Sequence, residues 1–160
     1  MKPTIRIVFI VMFAVLLLSF GECSGKQEQI SIAPKPVSYV EASGEFTLNN
    51  NSKIIVMADD YYNEIKKNSA EYLAVILRGS TGFNINIADG SEKPADGDIV
   101  LSLDYFEGAP EESYTIKVEK NKITVMAKMP AGLFRAVQTL RQLFGPDIES
   151  KNIVQKSTNY

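Results

Sequence analysis

Between Tyr114 and Phe144 the hydrophobic period changes once, from two residues to about 3.6, and this change restricts the fold more than any other feature. Tyr114, Ile116 and Val118 alternate with Thr115, Lys117 and Glu119. After Lys120-Asn121, Ile123, Val125 and Ala127 alternate with Thr124 and Met126. Alternation on both sides of a short polar break predicts a β-hairpin with one face toward a core. A helix is expected from Pro130 or Ala131, since the missing N–H of a first-turn proline has no helical partner to lose. Leu133, Val137, Leu140 and Phe144 fall at i, i+4, i+7 and i+11, Ala136 and Leu143 widen the stripe, and Gly145-Pro146 ends it. A hairpin and a helix that each carry one apolar face have to bury those faces in a common layer.

The preceding segment carries a second set of such elements. Lys53 to Ala58 is rich in β-branched residues and predicts a strand. Asp59 or Asp60 is placed to cap a helix from about Tyr61 to Arg78, with Ile65, Ser69, Tyr72, Leu73, Ile76 and Leu77 on one stripe and Gly79 as its terminator. Gly82 to Ile87 and Ile99 to Leu103 read as strands, and Ser38 to Glu41 and Glu45 to Leu48 as short strands around Gly44. The expected class is α+β: a two-layer sandwich in which a mainly antiparallel or mixed sheet carries two helices packed on one face.

The first 23 residues are expected to lie outside that domain. Lys2 and Arg6 precede the apolar run Ile7 to Phe20, which is short for a membrane span and suits a secretion signal. Cys23 follows directly and is the sole cysteine, so no intramolecular disulfide can form. Its position makes it the candidate acylation site of a lipoprotein, exported and lipid-anchored at a bacterial cell envelope. An ordinary cleaved signal and an uncleaved anchor are the alternatives. The expected organisation is a signal over 1–23, a tether over 24–31, a folded domain over 32–149 and an interdomain linker over 150–160.

Composition excludes several chemistries. A formal net charge of −2 offers no electrostatic case for nucleic acid. The chain has no His, which removes Ser-His-Asp and Cys-His arrangements and histidine metal ligands, and no Trp, although seven Tyr and eight Phe remain. The adjacent carboxylates Asp59-Asp60 and Glu111-Glu112 read as a helix cap and a solvated strand flank rather than a glycosidase pair. Asp89, Asp96, Asp98 and Asp104 lack the spacing of a calcium loop, and Gly79-Ser-Thr-Gly82 lacks the lysine of a phosphate loop. No catalytic, cofactor-binding or metal residue is therefore assigned, and no cofactor is expected. Gln138 follows the core position Val137 and is the candidate domain-interface residue, free to bond a sheet edge or a neighbouring domain. Arg135 and Arg141 are expected on the outer face of the helix, Arg141 near its C-terminus, where positive charge suits the dipole.

Taken in order, several of these segments resemble one family. Ile32-Ala-Pro-Lys-Pro-Val37 with Gly44-Glu-Phe-Thr-Leu48, Glu112-Ser-Tyr-Thr-Ile-Lys-Val118 and Gly132-Leu-Phe-Arg-Ala-Val-Gln-Thr-Leu-Arg-Gln-Leu-Phe144 resemble the N-terminal accessory domain of bacterial β-N-acetylhexosaminidases, glycoside hydrolase family 20. Gln138-Thr-Leu140 and Gln142-Leu143 are the most specific part. The resemblance implies a non-catalytic domain of an exported enzyme acting on terminal β-linked N-acetylhexosamine residues of glycans. It also implies a (β/α)8 catalytic barrel, in cis or in trans, whose adjacent Asp and Glu work with the acetamido group of the substrate. Such a barrel needs about 250 residues, so the chain is expected to lack it and to have no hydrolase activity alone. A stand-alone carbohydrate- or protein-binding module of the envelope, a separately encoded subunit that docks onto a barrel, and the accessory domain of another glycoside hydrolase family are the competing readings.

Overall fold

A computed structural model describes residues 32–40, 44–104 and 106–150. Signal, tether, Cys23 and residues 151–160 lie outside the described residues. Five strands form one sheet: β1 (Lys53–Met57), β2 (Asn86–Asp89), β3 (Asp98–Leu103), β4 (Tyr114–Val118) and β5 (Lys122–Ala127). A continuous helical path between β1 and β2 starts with a 3-10 turn at Asp59–Tyr61. It becomes α1 (Tyr62–Ile65), passes through a π-helical turn at Lys66–Ala70 and continues as α2 (Glu71–Thr81). After the hairpin come α3 (Pro130–Phe144) and a 3-10 turn at Pro146–Glu149.

The spatial order is β2-β1-β3-β5-β4. β1 is parallel to both β2 and β3, β3 is parallel to β5, and the β4–β5 hairpin is antiparallel. Of the two sheet types the sequence allowed, the mixed one is found. The reason is topological: the chain leaves β3, forms the outer edge as β4, then turns back between the two, which makes β5 parallel to β3.

Register places Ile54, Ile99 and Ile123 in one row and Val56, Leu101 and Val125 in the next. All six are buried against the helices. Ile65, Leu73 and Leu77 reach this layer from the first helical segment, and Leu133, Val137 and Leu140 from α3. Each such side chain, fully buried, stabilises the fold by roughly 1.5–3 kcal/mol. The stripe expected on α3 is therefore found, with Leu143 only partly buried.

Elsewhere the structure departs from expectation. The first helix runs on to Thr81, and Gly82 rather than Gly79 takes the left-handed cap at φ +73°, its N–H donating to the Arg78 carbonyl at 3.0 Å. That extension moves the next strand forward to Asn86–Asp89. Asp59 and Asp60 make no side-chain cap; they are exposed within the 3-10 turn. Tyr72 is exposed, because it sits about 100° around the helix from Leu73, and Ala70 and Ala74 line the core instead. Ser38–Val40 and Glu45–Leu48 form no strand, yet Phe46 and Leu48 enter the core from extended backbone.

Candidate functional site

Helix α3 has two differently built sides. On the side toward the hairpin, Gly132 is required by space: a Cβ there would stand 3.0 Å from both the Ala127 Cβ and the Ser113 carbonyl oxygen. Seven residues later on the same side, the Thr139 and Tyr114 hydroxyls share a hydrogen bond of 2.8 Å. Small backbone separation and a paired hydroxyl lock the helix to the β4–β5 edge.

On the side facing away from the sheet, α3 meets α2 through Gln138. Its Oε1 accepts from Arg141 Nη1 at 2.6 Å, and at 3.5 Å from the Tyr72 hydroxyl. Its Nε2 is buried and has no hydrogen-bond partner among the described residues. An unpaired buried donor costs about 1–3 kcal/mol. The amide cannot simply flip, since an Nε2 placed next to the Arg141 guanidinium would set donor against donor.

Aromatic rings frame this amide. Tyr72 and Phe134 pack at a centroid distance of 5.9 Å, tilted by 53°, and remain 36% and 42% exposed. The Arg141 guanidinium lies 5.3 Å from the Tyr72 ring centroid and also donates to its hydroxyl. From the other side Arg141 Nε donates to Glu149 Oε1 at 2.9 Å. The bond to Glu149 raises the Arg141 pKa above the ordinary guanidinium value, against the partial burial that would lower it. Arg141 is thus held by three side chains.

One turn on, Gln142 ties down the lead-in segment. Ala33 N–H donates to Gln142 Oε1 at 2.9 Å, and Gln142 Nε2 donates back to the Ala33 carbonyl at 2.9 Å. Gln138, Arg141, Gln142, Gly145, Pro146 and Glu149 line a shallow groove at this end of α3. The chain enters the described domain at Ala33 and leaves it at Glu149, both beside that groove.

The remaining candidates do not converge. Asp59 and Asp60 are exposed; Glu112 pairs with Arg135 at 2.8 Å on the surface. Asp98 turns inward, accepting from the Lys53 and Ala95 N–H groups at 2.8 Å each, so it joins β1, β3 and the preceding loop. Among the described residues no three of His, Cys, Asp and Glu group as metal ligands, and no helix is long and apolar enough to cross a membrane. Of the residues singled out from sequence, Gln138 is the one with an unfulfilled bond. Tyr72 was expected on the apolar stripe and lies at the surface instead, beside Phe134, an aromatic off the α3 stripe where a solvated helix has a polar residue.

The described fold is a two-layer α+β domain, a mixed five-stranded sheet with helices packed on one face. The chain belongs to glycosyl hydrolase family 20, domain 2, whose profile matches residues 29–158. It corresponds to the N-terminal accessory domain of family 20 β-hexosaminidases. A β-hexosaminidase of Porphyromonas gingivalis is 31% identical over 147 residues, 86% of this chain and 18% of that protein. The family 20 β-N-acetylhexosaminidase of Streptomyces coelicolor A3(2) superposes with a TM-score of 0.66 at 25% identity, covering 79% of this chain and 24% of that one. The N-acetyl-β-hexosaminidase of Streptomyces plicatus, in complex with thio-NAglucal, gives 0.68 at 26% identity, covering 81% and 24%. The chain thus spans about a fifth to a quarter of the length of these relatives.

Proposed function

We propose that the chain is the non-catalytic domain of an exported β-N-acetylhexosaminidase, an enzyme that acts on terminal β-linked N-acetylhexosamine residues of glycans. The observation that carries this reading is the match over residues 29–158 to a domain that makes up a minor share of each hexosaminidase relative. The carboxylates support it as well: those described are exposed, paired with a neighbouring base or spent on backbone N–H groups, as in Asp98. The partner is a catalytic barrel, in the same polypeptide or a separate one. Purified 160-residue protein is expected to leave an aryl N-acetyl-β-glucosaminide intact. Turnover by material free of any host hexosaminidase overturns the reading.

The same proposal places the domain at the cell envelope through a lipid on Cys23. Ala33 stands ten positions after Cys23, and extended chain spans at most ~3.3–3.6 Å per residue. The α3 end would then stay within roughly 35 Å of the membrane surface. Mass spectrometry of the mature protein tests the anchor: a diacylated N-terminal cysteine is expected, and a peptide carrying an unmodified Cys23 thiol contradicts it.

A further inference from the structure

We propose that the outer edge of β4 pairs with the same edge of a second copy of this chain, antiparallel and about a two-fold axis at Ile116. This goes beyond the reading of the chain as an accessory domain and does not depend on it.

The backbone makes the edge available. β4 ends the sheet, and among the described residues no strand lies beyond it. Its bonds to β5 are fixed at both ends of the hairpin. The Glu119 N–H donates to the Lys122 carbonyl at 2.9 Å, and the Lys128 N–H donates to the Ser113 carbonyl at 3.2 Å. Antiparallel partners alternate between bonded and non-bonded pairs. Thr115 and Lys117 therefore turn their N–H and C=O groups toward β5, while Tyr114, Ile116 and Val118 turn theirs outward. The strand carries no proline, and its register with β5 runs unbroken from Tyr114 to Val118. Such an edge is a template for another strand.

Its side chains fit a copy of themselves. Tyr114, Ile116 and Val118 stand opposite Ala127, Val125 and Ile123, on the helix side of the sheet. Tyr114 and Ile116 are only partly buried there, and Val118 is 38% exposed. With Ile116 at the axis, Tyr114 of each copy meets Val118 of the other, and Ile116 meets Ile116. The apolar row then continues across the junction instead of ending in water.

Charge selects the occupant. Glu111 and Glu112 precede β4 and Lys120 follows it, all three exposed. The antiparallel register sets Glu112 of one copy opposite Lys120 of the other, at both ends of the ladder. Lys117 falls opposite Thr115 and keeps its ion pair with Glu119 at 2.8 Å. Opposite charges across strands stabilise a pairing and like charges weaken it, so the polarity of this strand favours its own antiparallel copy. The other edge, β2, has Ile87 as its one large apolar residue. A ladder this short is small against the ~800 Å² per partner of a standard interface, so the dimer is expected to be weak, with association in the micromolar range.

Sedimentation velocity of the purified 160-residue protein over a concentration series tests the pairing, with the melting temperature of each variant taken as a check on folding. The unmutated protein is expected to pass from monomer to dimer. Lys120→Glu and Glu112→Lys each set like charges opposite one another at both ends. Each is expected to raise the dissociation constant about tenfold or more, with little change in melting temperature, since the exposed ion pair of Glu112 with Arg135 is screened by solvent. An equimolar mixture of the two variants is expected to recover association, because the mixed dimer alone has opposite charges at both ends. An unmutated protein that stays monomeric overturns the proposal and leaves the edge to a strand of another polypeptide. A dimer that both variants leave unchanged overturns it too, as does a mixture that associates no better than its components. None of these outcomes touches the accessory-domain reading, which the activity of the chain alone tests.

Discussion

The two sides of α3 follow opposite rules. Toward the hairpin, Gly132 leaves room for the Ser113 carbonyl and Ala127, and Thr139 pairs with Tyr114. Toward solvent, the side chains are equally well ordered, but a buried amide donor is left over and two aromatic rings stay partly wet. The contrast separates order from satisfaction. A merely solvated face would instead carry flexible charged side chains with water as their partner.

Four measurements on the 160-residue protein sharpen or break that contrast. Leu133→Ala removes a fully buried side chain from the matched side and is expected to cost about 2–5 kcal/mol, read as a lower urea midpoint with unchanged slope. A loss comparable to that of a surface change would mean that α3 is not packed as described. Next, Gly132→Ala is expected to destabilise by roughly 1–3 kcal/mol through overpacking, although alanine is the better helix former by about 1 kcal/mol. A net gain in stability would show that the hairpin can move away without loss, and would remove the reason for glycine there.

Thr139→Val should cost about 1 kcal/mol, the loss of one hydrogen bond with the Tyr114 hydroxyl left half-buried. The effect should vanish in a Tyr114→Phe background, because that pairing is then already gone; an undiminished effect would assign it to packing alone.

The smallest effect concerns pH. The Ser91 hydroxyl and then its N–H, both bonded to Asp89, lower the Asp89 pKa, and the hydrogen bond from Lys117 lowers that of Glu119. A carboxylate whose folded pKa is depressed contributes stability above its unfolded pKa and loses it as pH falls through the folded value. The melting temperature should therefore decline below the ordinary carboxylate range, and Asp89→Asn with Glu119→Gln should flatten that decline slightly. Both groups are at the surface and screened by solvent, so a steep acid limb insensitive to these changes would point to other carboxylates.

The hairpin and α3 could be read almost residue by residue, because alternation and the 3.6-residue stripe are local consequences of backbone geometry. Pro130 and Gly145-Pro146 mark the helix ends for equally local reasons. The first helix was less readable. A π-helical turn at Lys66–Ala70 changes the angular step, and Gly79 is a glycine inside the helix where a terminator was expected. Glu45 to Leu48 reads as a short strand around Gly44, whereas the segment holds an isolated bridge at Thr47 and sends Phe46 and Leu48 into the core.

Gln138 was picked out as a polar residue beside a core position, which is as far as a linear pattern can go. Its unpaired Nε2 depends on Arg141 three residues on and Tyr72 on another helix, and Phe134 becomes part of a surface only when α2 lies alongside α3. The amino-acid order alone specified which faces are apolar, where the main elements begin and end, and, through the succession of its motifs, the resemblance to family 20 domains. Strand order, the parallel pairing of β3 with β5, and the aromatic–amide surface came from long-range packing. Local periodicity constrains each segment against its own backbone, but which segments meet is set by the burial of all the apolar faces at once.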